Sequence, residues 1–105
     1  MIRSIQSVSE LKGIIEVEFY DTILIYVDND PDTGILSEDL ELIKNEYHDS
    51  LRVYQIDSRD MDLVDYLSVN DIPTIILYKS NCDEIFRYEG LMDGMELDLL
   101  VSTNL

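Results

Sequence analysis

A single cysteine, Cys82, stands among the 105 residues. No intrachain disulfide can form, and dithiol exchange, which needs an attacking thiolate and a resolving thiol, lacks half its parts. Cations are also scarce: seven lysines and arginines and one histidine face 23 acidic residues, for a formal charge of −16. Nucleic acid and anionic membrane surfaces repel such a chain. A basic protein partner, bound cations or plain solubility would account for the charge. The lone histidine, His48, lies between Tyr47 and Asp49 at a helix end. With no second histidine and no cysteine nearby, a zinc site lacks ligands, and His48 is expected on the surface. No apolar run approaches the ~20 residues of a membrane span. Met1 to Ser7 lack the apolar stretch of a secretion signal. The expectation is a cytoplasmic, soluble protein with no cofactor. Alanine is missing altogether, which together with abundant Ile, Leu and Tyr does not suit a salt-adapted composition. There is no internal repeat, low-complexity tract or linker.

What is present is a globular composition, 46% apolar with 9% aromatic residues, in a length that suits one domain over residues 1–105. Ile2 to Gln6 reads as a short edge strand. Ser7-Val8-Ser9-Glu10 forms a capping box for a helix with Leu11, Ile14, Ile15 and Val17 to Phe19 as apolar positions. Thr22 to Val27 is a continuous β-former run, as in a central strand buried on both faces. The turn residues Asp28 to Gly34 follow, then a helix with Leu36, Leu40, Ile43 and Tyr47 at helical spacing. Leu51 to Ile56 alternates imperfectly and stops at Asp57. Asp60 caps a short helix carrying Met61, Val64 and Leu67. After Ser80 to Asp83, read as a turn, Glu84 to Glu89 returns as a hairpin partner. Asp93 with Glu96 opens a last helix whose buried stripe is expected to be Met95, Leu99 and Leu100. The order β-α-β-α-β-α-β-β-α predicts an α/β fold, a mixed sheet of four to five strands with helices on both faces.

The stretch Ser68 to Lys79 organises the chain. Ile72-Pro73-Thr74 leads directly into an apolar strand, and proline, with fixed φ and no N–H, belongs at such a first position. Ile72-Pro73-Thr74 resembles the proline loop of the thioredoxin family. Ile43 to Tyr47 resembles the end of that family's long active-site helix, Leu51-Arg52-Val53 the strand after it, and Tyr88-Glu89-Gly90-Leu91 the close of its last strand. The resemblance covers nearly the whole chain. It implies a thioredoxin-like fold, a cis bond between Ile72 and Pro73, and a substrate groove beside that bond.

The same resemblance places a Cys-x-x-Cys between the central strand and the long helix. Here Asp28 to Gly34 stand there, about two residues short of the family spacing, without a cysteine; Tyr26 falls where the family has a buried acid. Asp30, Asp32 and Thr33 are expected to cap the free amides of the helix. Asp28, Asp30 and Asp32, with Gly34 and then Asp39, are also similar to a calcium loop. Glycine stands one place late, Pro31 stiffens the middle, and Asp replaces the closing Glu, so a capped acidic loop is the expected reading. Cys82 sits in the hairpin turn beside Asp83 and Glu84, which would blunt its reactivity. Tyr26 and Tyr78 are expected in the core, while Tyr20, Tyr54, Tyr66 and Tyr88 are left open.

The function implied is a redox-inactive, non-enzymatic protein-binding or assembly module. Its partner surface would be Asp28, Asn29, Asp30, Pro31, Asp32 and Thr33 on one side and Asp71, Ile72 and Pro73 on the other. The competing class is an acidic mimic or inhibitor of a basic, nucleic-acid-binding protein. A mimic needs a dense ordered stripe of charge, and the acids here are spread over many elements.

Overall fold

The computed structural model describes residues 2–17, 22–79 and 83–105; Phe19, Tyr20 and Cys82, with the expectations placed on them, lie outside this set. The elements run β1 (Arg3–Ser4), α1 (Val8–Val17), β2 (Thr22–Asp28), α2 (Ser37–Glu46), β3 (Leu51–Asp57), α3 (Met61–Leu67), β4 (Thr74–Lys79), β5 (Asp83–Glu89) and α4 (Gly94–Asn104). The sheet order is β1-β3-β2-β4-β5. β1 and β2 pair with β3 in parallel, and β4 pairs with both β2 and β5 antiparallel.

β2 is central, and every residue from Thr22 to Asp28 is buried. The period of two along a strand divides its side chains between two cores. Leu24 and Tyr26 pack with Leu36, Leu40 and Ile43 beside α2 and with Leu97 and Val101 of α4. Ile23, Ile25 and Val27 pack with Leu11 and Ile14 of α1 and Leu63 and Leu67 of α3. Each fully buried Leu or Ile contributes about 1.5–3 kcal/mol, which is why an uninterrupted apolar run selects this position.

Three helix starts follow the sequence closely. Glu10 N donates to Ser7 Oγ at 3.1 Å, and Gln6 N donates to Glu10 Oε1 at 2.7 Å. The Asp60 side chain accepts from Leu63 N, and Asp93 Oδ1 accepts from Glu96 N at 2.8 Å. The bonds to Glu10 N, Leu63 N and Glu96 N satisfy first-turn amides that have no partner within their own helix, and the bond to Gln6 N ties down the residue ahead of α1.

Other expectations are corrected. β1 is only two residues long. The buried residues of α3 are Leu63 and Leu67, and Met61 is exposed. The buried stripe of α4 is Leu97 and Val101, while Met95 and Leu99 are 84% and 64% exposed. Tyr26 and Tyr78 are buried as expected; of the tyrosines left open, Tyr54 is buried and Tyr66 and Tyr88 are exposed. His48 is exposed, as expected, its ring nitrogens 3.1 Å from Asn45 O and 3.2 Å from the Asp49 carboxylate.

Candidate functional site

Val27 of β2 lies opposite Thr74 of β4. The loop leaving β2 at Asp28 and the segment arriving at β4 through Asp71, Ile72 and Pro73 are therefore neighbours at one end of the sheet. Two further segments complete the wall. Gly90 N donates to Pro73 O at 2.8 Å, and Ser58 N donates to Asp28 O at 2.9 Å. The Ile72–Pro73 peptide bond is cis. Pro73 is buried, while Asp71 and Ile72 are exposed.

Two side chains hydrogen-bond to the backbone of this proline segment. Asp71 Oδ1 accepts from Ile72 N at 2.9 Å, and Asp71 O accepts from Thr74 Oγ1. Behind them, Arg87 reaches from β5 to donate to Leu67 O at 2.8 Å and Ser68 O at 3.1 Å. Those carbonyls end α3, where helix acceptors lack partners, and Ser68 turns the chain with a positive φ of 54°. One of the few cations thus anchors the approach to Pro73.

The acidic loop is organised inward. The Tyr26 hydroxyl donates to Asp28 Oδ2 at 2.5 Å, and Asn29 N donates to Asp28 Oδ1 at 2.8 Å. Burial raises the Tyr26 pKa, and its bond to the Asp28 carboxylate raises it further. The phenol is a fixed donor at neutral pH, moved away from the range useful to an acid-base catalyst. Gly34 lies against this pair: a Cβ there would overlap the Tyr26 hydroxyl and stand 2.7 Å from Asp28 Oδ2.

The expected capping of α2 is not what these residues do. α2 begins only at Ser37, behind Leu36, with no side-chain cap. Asp32 Oδ1 instead accepts from Gln55 Nε2 at 2.6 Å, and that nitrogen also reaches Ser4 Oγ at 3.0 Å. Gln55 is a buried polar residue of β3, and Asp32 supplies a partner that burial requires. Asp30 contributes its carbonyl to Thr33 N at 3.2 Å.

Of the nine residues proposed for the partner surface, Asn29, Asp30, Asp32, Thr33, Asp71 and Ile72 are exposed. Asp28, Pro31 and Pro73 are buried and act as framework. The acids of the calcium-loop resemblance have separate neighbours. Asp28 is bound to Tyr26, Asp32 to Gln55, and Asp39 faces Gly94. Among the described residues, no three acidic, histidine or cysteine side chains are grouped as a metal site requires.

Sequence reasoning missed Asp57 and Arg59 at the rim. Asp57 pairs in register with Asp28, and Arg59 binds it through side chain and amide, pushing its pKa down to about 2. The signal was there, an acid and an arginine two apart at a strand end. Gly34 and Gln55 left none, because their partners come from other elements.

The geometry has close parallels among solved structures. A chloroplastic thioredoxin z superposes with a TM-score of 0.81 at 21% identity, covering 97% of this chain and 92% of that one. The germline-specific thioredoxin Deadhead of Drosophila melanogaster gives 0.81 at 16% identity, over 99% and 100% of the two chains. A single-substitution variant of the Halobacterium salinarum thioredoxin gives 0.79 at 21%, over 96% and 88%. No protein-family model matches the chain, and no curated protein matches it in sequence. At these identities the likeness is one of fold, and the fold is thioredoxin-like.

Proposed function

We infer that this thioredoxin-like domain is a redox-inactive, cytoplasmic protein-binding or assembly module. It holds an extended segment of a protein partner, preferentially a basic one, between Asn29 to Thr33 and Asp71 to Pro73. The observation that carries this reading is the exposed pair Asp71 and Ile72 just ahead of β4, beside a loop that contains no cysteine. Pairing of a peptide with a free backbone edge needs donors and acceptors, not thiols. The acids of the loop rim favour lysine or arginine in the bound segment.

The Ile72 amide is already engaged by the Asp71 side chain, so an incoming carbonyl must displace that carboxylate. Asp71→Ala removes the competitor from an exposed position. It should tighten partner binding by about two- to tenfold, the equivalent of one net hydrogen bond of about 0.5–1.5 kcal/mol. Titration of the captured partner against both proteins measures this, and weaker binding by Asp71→Ala would count against backbone pairing.

Affinity capture from source cells, with wild type and Ile72→Glu side by side, tests the reading itself. The expected result is a partner retained by wild type and lost by Ile72→Glu, and no reduction of insulin disulfides above a Cys82→Ser control. Capture that ignores Ile72→Glu but collapses as salt rises would favour the acidic-mimic reading instead. Turnover of insulin would overturn redox inactivity.

A further inference from the structure

Six large apolar side chains among the described residues are more than 60% exposed, and five of them lie on or just before α2 and α4, which pack into the same core on one side of the sheet: Ile35, Leu42, Leu91, Met95 and Leu99. The sixth, Met61, stands apart on α3. Ile35 and Leu42 are seven residues apart, two helical turns along α2 and its approach. Met95 and Leu99 are four residues apart on α4 and so share one face of it, and Leu91 lies in the segment that leads into the helix.

These residues flank the seam between the two helices. Asp39, midway between Ile35 and Leu42, lies against Gly94: a Cβ on Gly94 would be 2.7 Å from Asp39 Oδ1. Further along the seam the Tyr47 hydroxyl donates to Asp98 Oδ1 at 2.9 Å. At its head a shallow depression of about 450 Å³ has Ile35, Leu91 and Met92 as apolar wall and Asp39, Asp93 and Glu96 as acidic wall. No Lys, Arg or His lines it among the described residues.

Isolated exposed apolar residues are ordinary, but a contiguous apolar patch rimmed by polar groups marks an interaction surface. We propose that the α2–α4 face docks a basic amphipathic helix of a partner protein. Apolar residues of that helix at i, i+3 or i+4 and i+7 would seat on Met95, Leu99 and Leu42, with lysines or arginines against Asp39, Asp93 and Glu96.

Charge complementarity selects this occupant. A second copy would bring like charge onto like, with −16 on each chain, which disfavours its close approach to the acidic rim. The repulsion is already present within one copy. The Asp93 carboxylate raises the Glu96 pKa, by charge first and then through their hydrogen bond, and a cation placed there relieves it. This face borders the proline groove at Leu91 and extends away from it along both helices, and docking there does not depend on the groove being used.

A synthetic Leu/Lys helix with leucines at helical spacing serves as probe, beside an isomer of the same composition with the leucine pattern scrambled. Calorimetric titration should show the patterned peptide binding at least about tenfold more tightly. The Met95→Glu/Leu99→Glu double variant should lose that advantage, and Met61→Glu should keep it. All three side chains are largely exposed, and thermal melting checks that both variants remain folded. Equal binding of the two peptides, or equal loss with Met61→Glu, would reduce the effect to net charge and overturn the proposal. So would loss with Ile72→Glu while the double variant still binds, which would move the site to the groove. A free protein that sediments as a dimer and becomes monomeric on Met95→Glu/Leu99→Glu would overturn it too, by making a second copy the occupant.

Discussion

Replacing Gly34 by alanine should destabilise the domain by about 2–4 kcal/mol, far more than the addition of one methyl group suggests. The added carbon would occupy the space of the Tyr26 hydroxyl and lie 2.7 Å from Asp28 Oδ2 and 3.2 Å from the Asp30 carbonyl. Tyr26 is fully buried and Asp28 nearly so, so neither group can move into solvent. Either the loop shifts or the Tyr26–Asp28 bond breaks, leaving a buried carboxylate without its donor. Overpacking costs about 1–3 kcal/mol and an unpaired buried polar group a similar amount. For a domain of this size the melting temperature should fall by roughly 10 °C or more. Gly13 provides the contrast. It lies inside α1 with nothing within 4 Å of a Cβ, so Gly13→Ala should stabilise by about 0.5–1 kcal/mol through helix propensity. Tyr26→Phe removes the first atom that the new methyl meets. The double variant Tyr26→Phe/Gly34→Ala should therefore lose less than the two single losses combined, by about 1 kcal/mol. Urea unfolding of the four proteins closes the cycle, and strict additivity would show that the methyl is accommodated elsewhere.

Much of the fold was legible because its signals are local. β2 and β4 are apolar runs as the centre of a covered sheet demands, and Ser7, Asp60 and Asp93 stand where helix amides need acceptors. α4 misled for a physical reason. With Met95, Leu97, Leu99, Leu100 and Val101 it is apolar on nearly every side. Periodicity then picks no face, and only the position of the sheet decides that Leu97 and Val101 go in. The residues read as buried are largely those left exposed beside α2. The acidic loop misled differently. Asp30, Asp32 and Thr33 are good capping residues, but capping depends on where the helix begins, and Gly34 to Leu36 delay it to Ser37. Asp32 is claimed by Gln55, 23 residues away in sequence. Within β3, whose alternation is imperfect, Gln55 is a polar residue that can be buried because Asp32 and Ser4 satisfy its amide. The framework role of Asp28 likewise required knowing that Tyr26 points toward the loop.

Alkaline titration should unfold this domain well before its backbone is chemically at risk, and Tyr78 carries a defined part of the effect. Tyr78 is buried in β4, and its pKa is pushed up from 10.0 to about 12, by burial first and then by the Glu84 carboxylate, with Arg87 opposing. The raised value sets the sign. The unfolded chain gives up this proton near pH 10, whereas the folded chain holds it to about 12. Below pH 10 both states are protonated and nothing is lost; from pH 10 to about 12 the unfolded state is progressively favoured. Each pKa difference of one unit is worth 1.36 kcal/mol, so Tyr78 alone should remove about 2–3 kcal/mol across that window. Tyr26, raised by burial and by Asp28, acts in the same direction. A loss of this size is a large fraction of the stability of a domain this small. Unfolding free energies from urea titrations between about pH 9 and 12 should therefore fall steeply for wild type. Tyr78→Phe has no proton to lose there, and its curve should be shallower by about one proton's slope, 1.36 kcal/mol per pH unit, between the two values. Phenolate absorbance recorded on the folded protein should show the Tyr78 signal arriving only with unfolding or near pH 12. Parallel curves for wild type and Tyr78→Phe across the whole window would mean that the phenol ionises alike in both states, and that burial in β4 does not protect it.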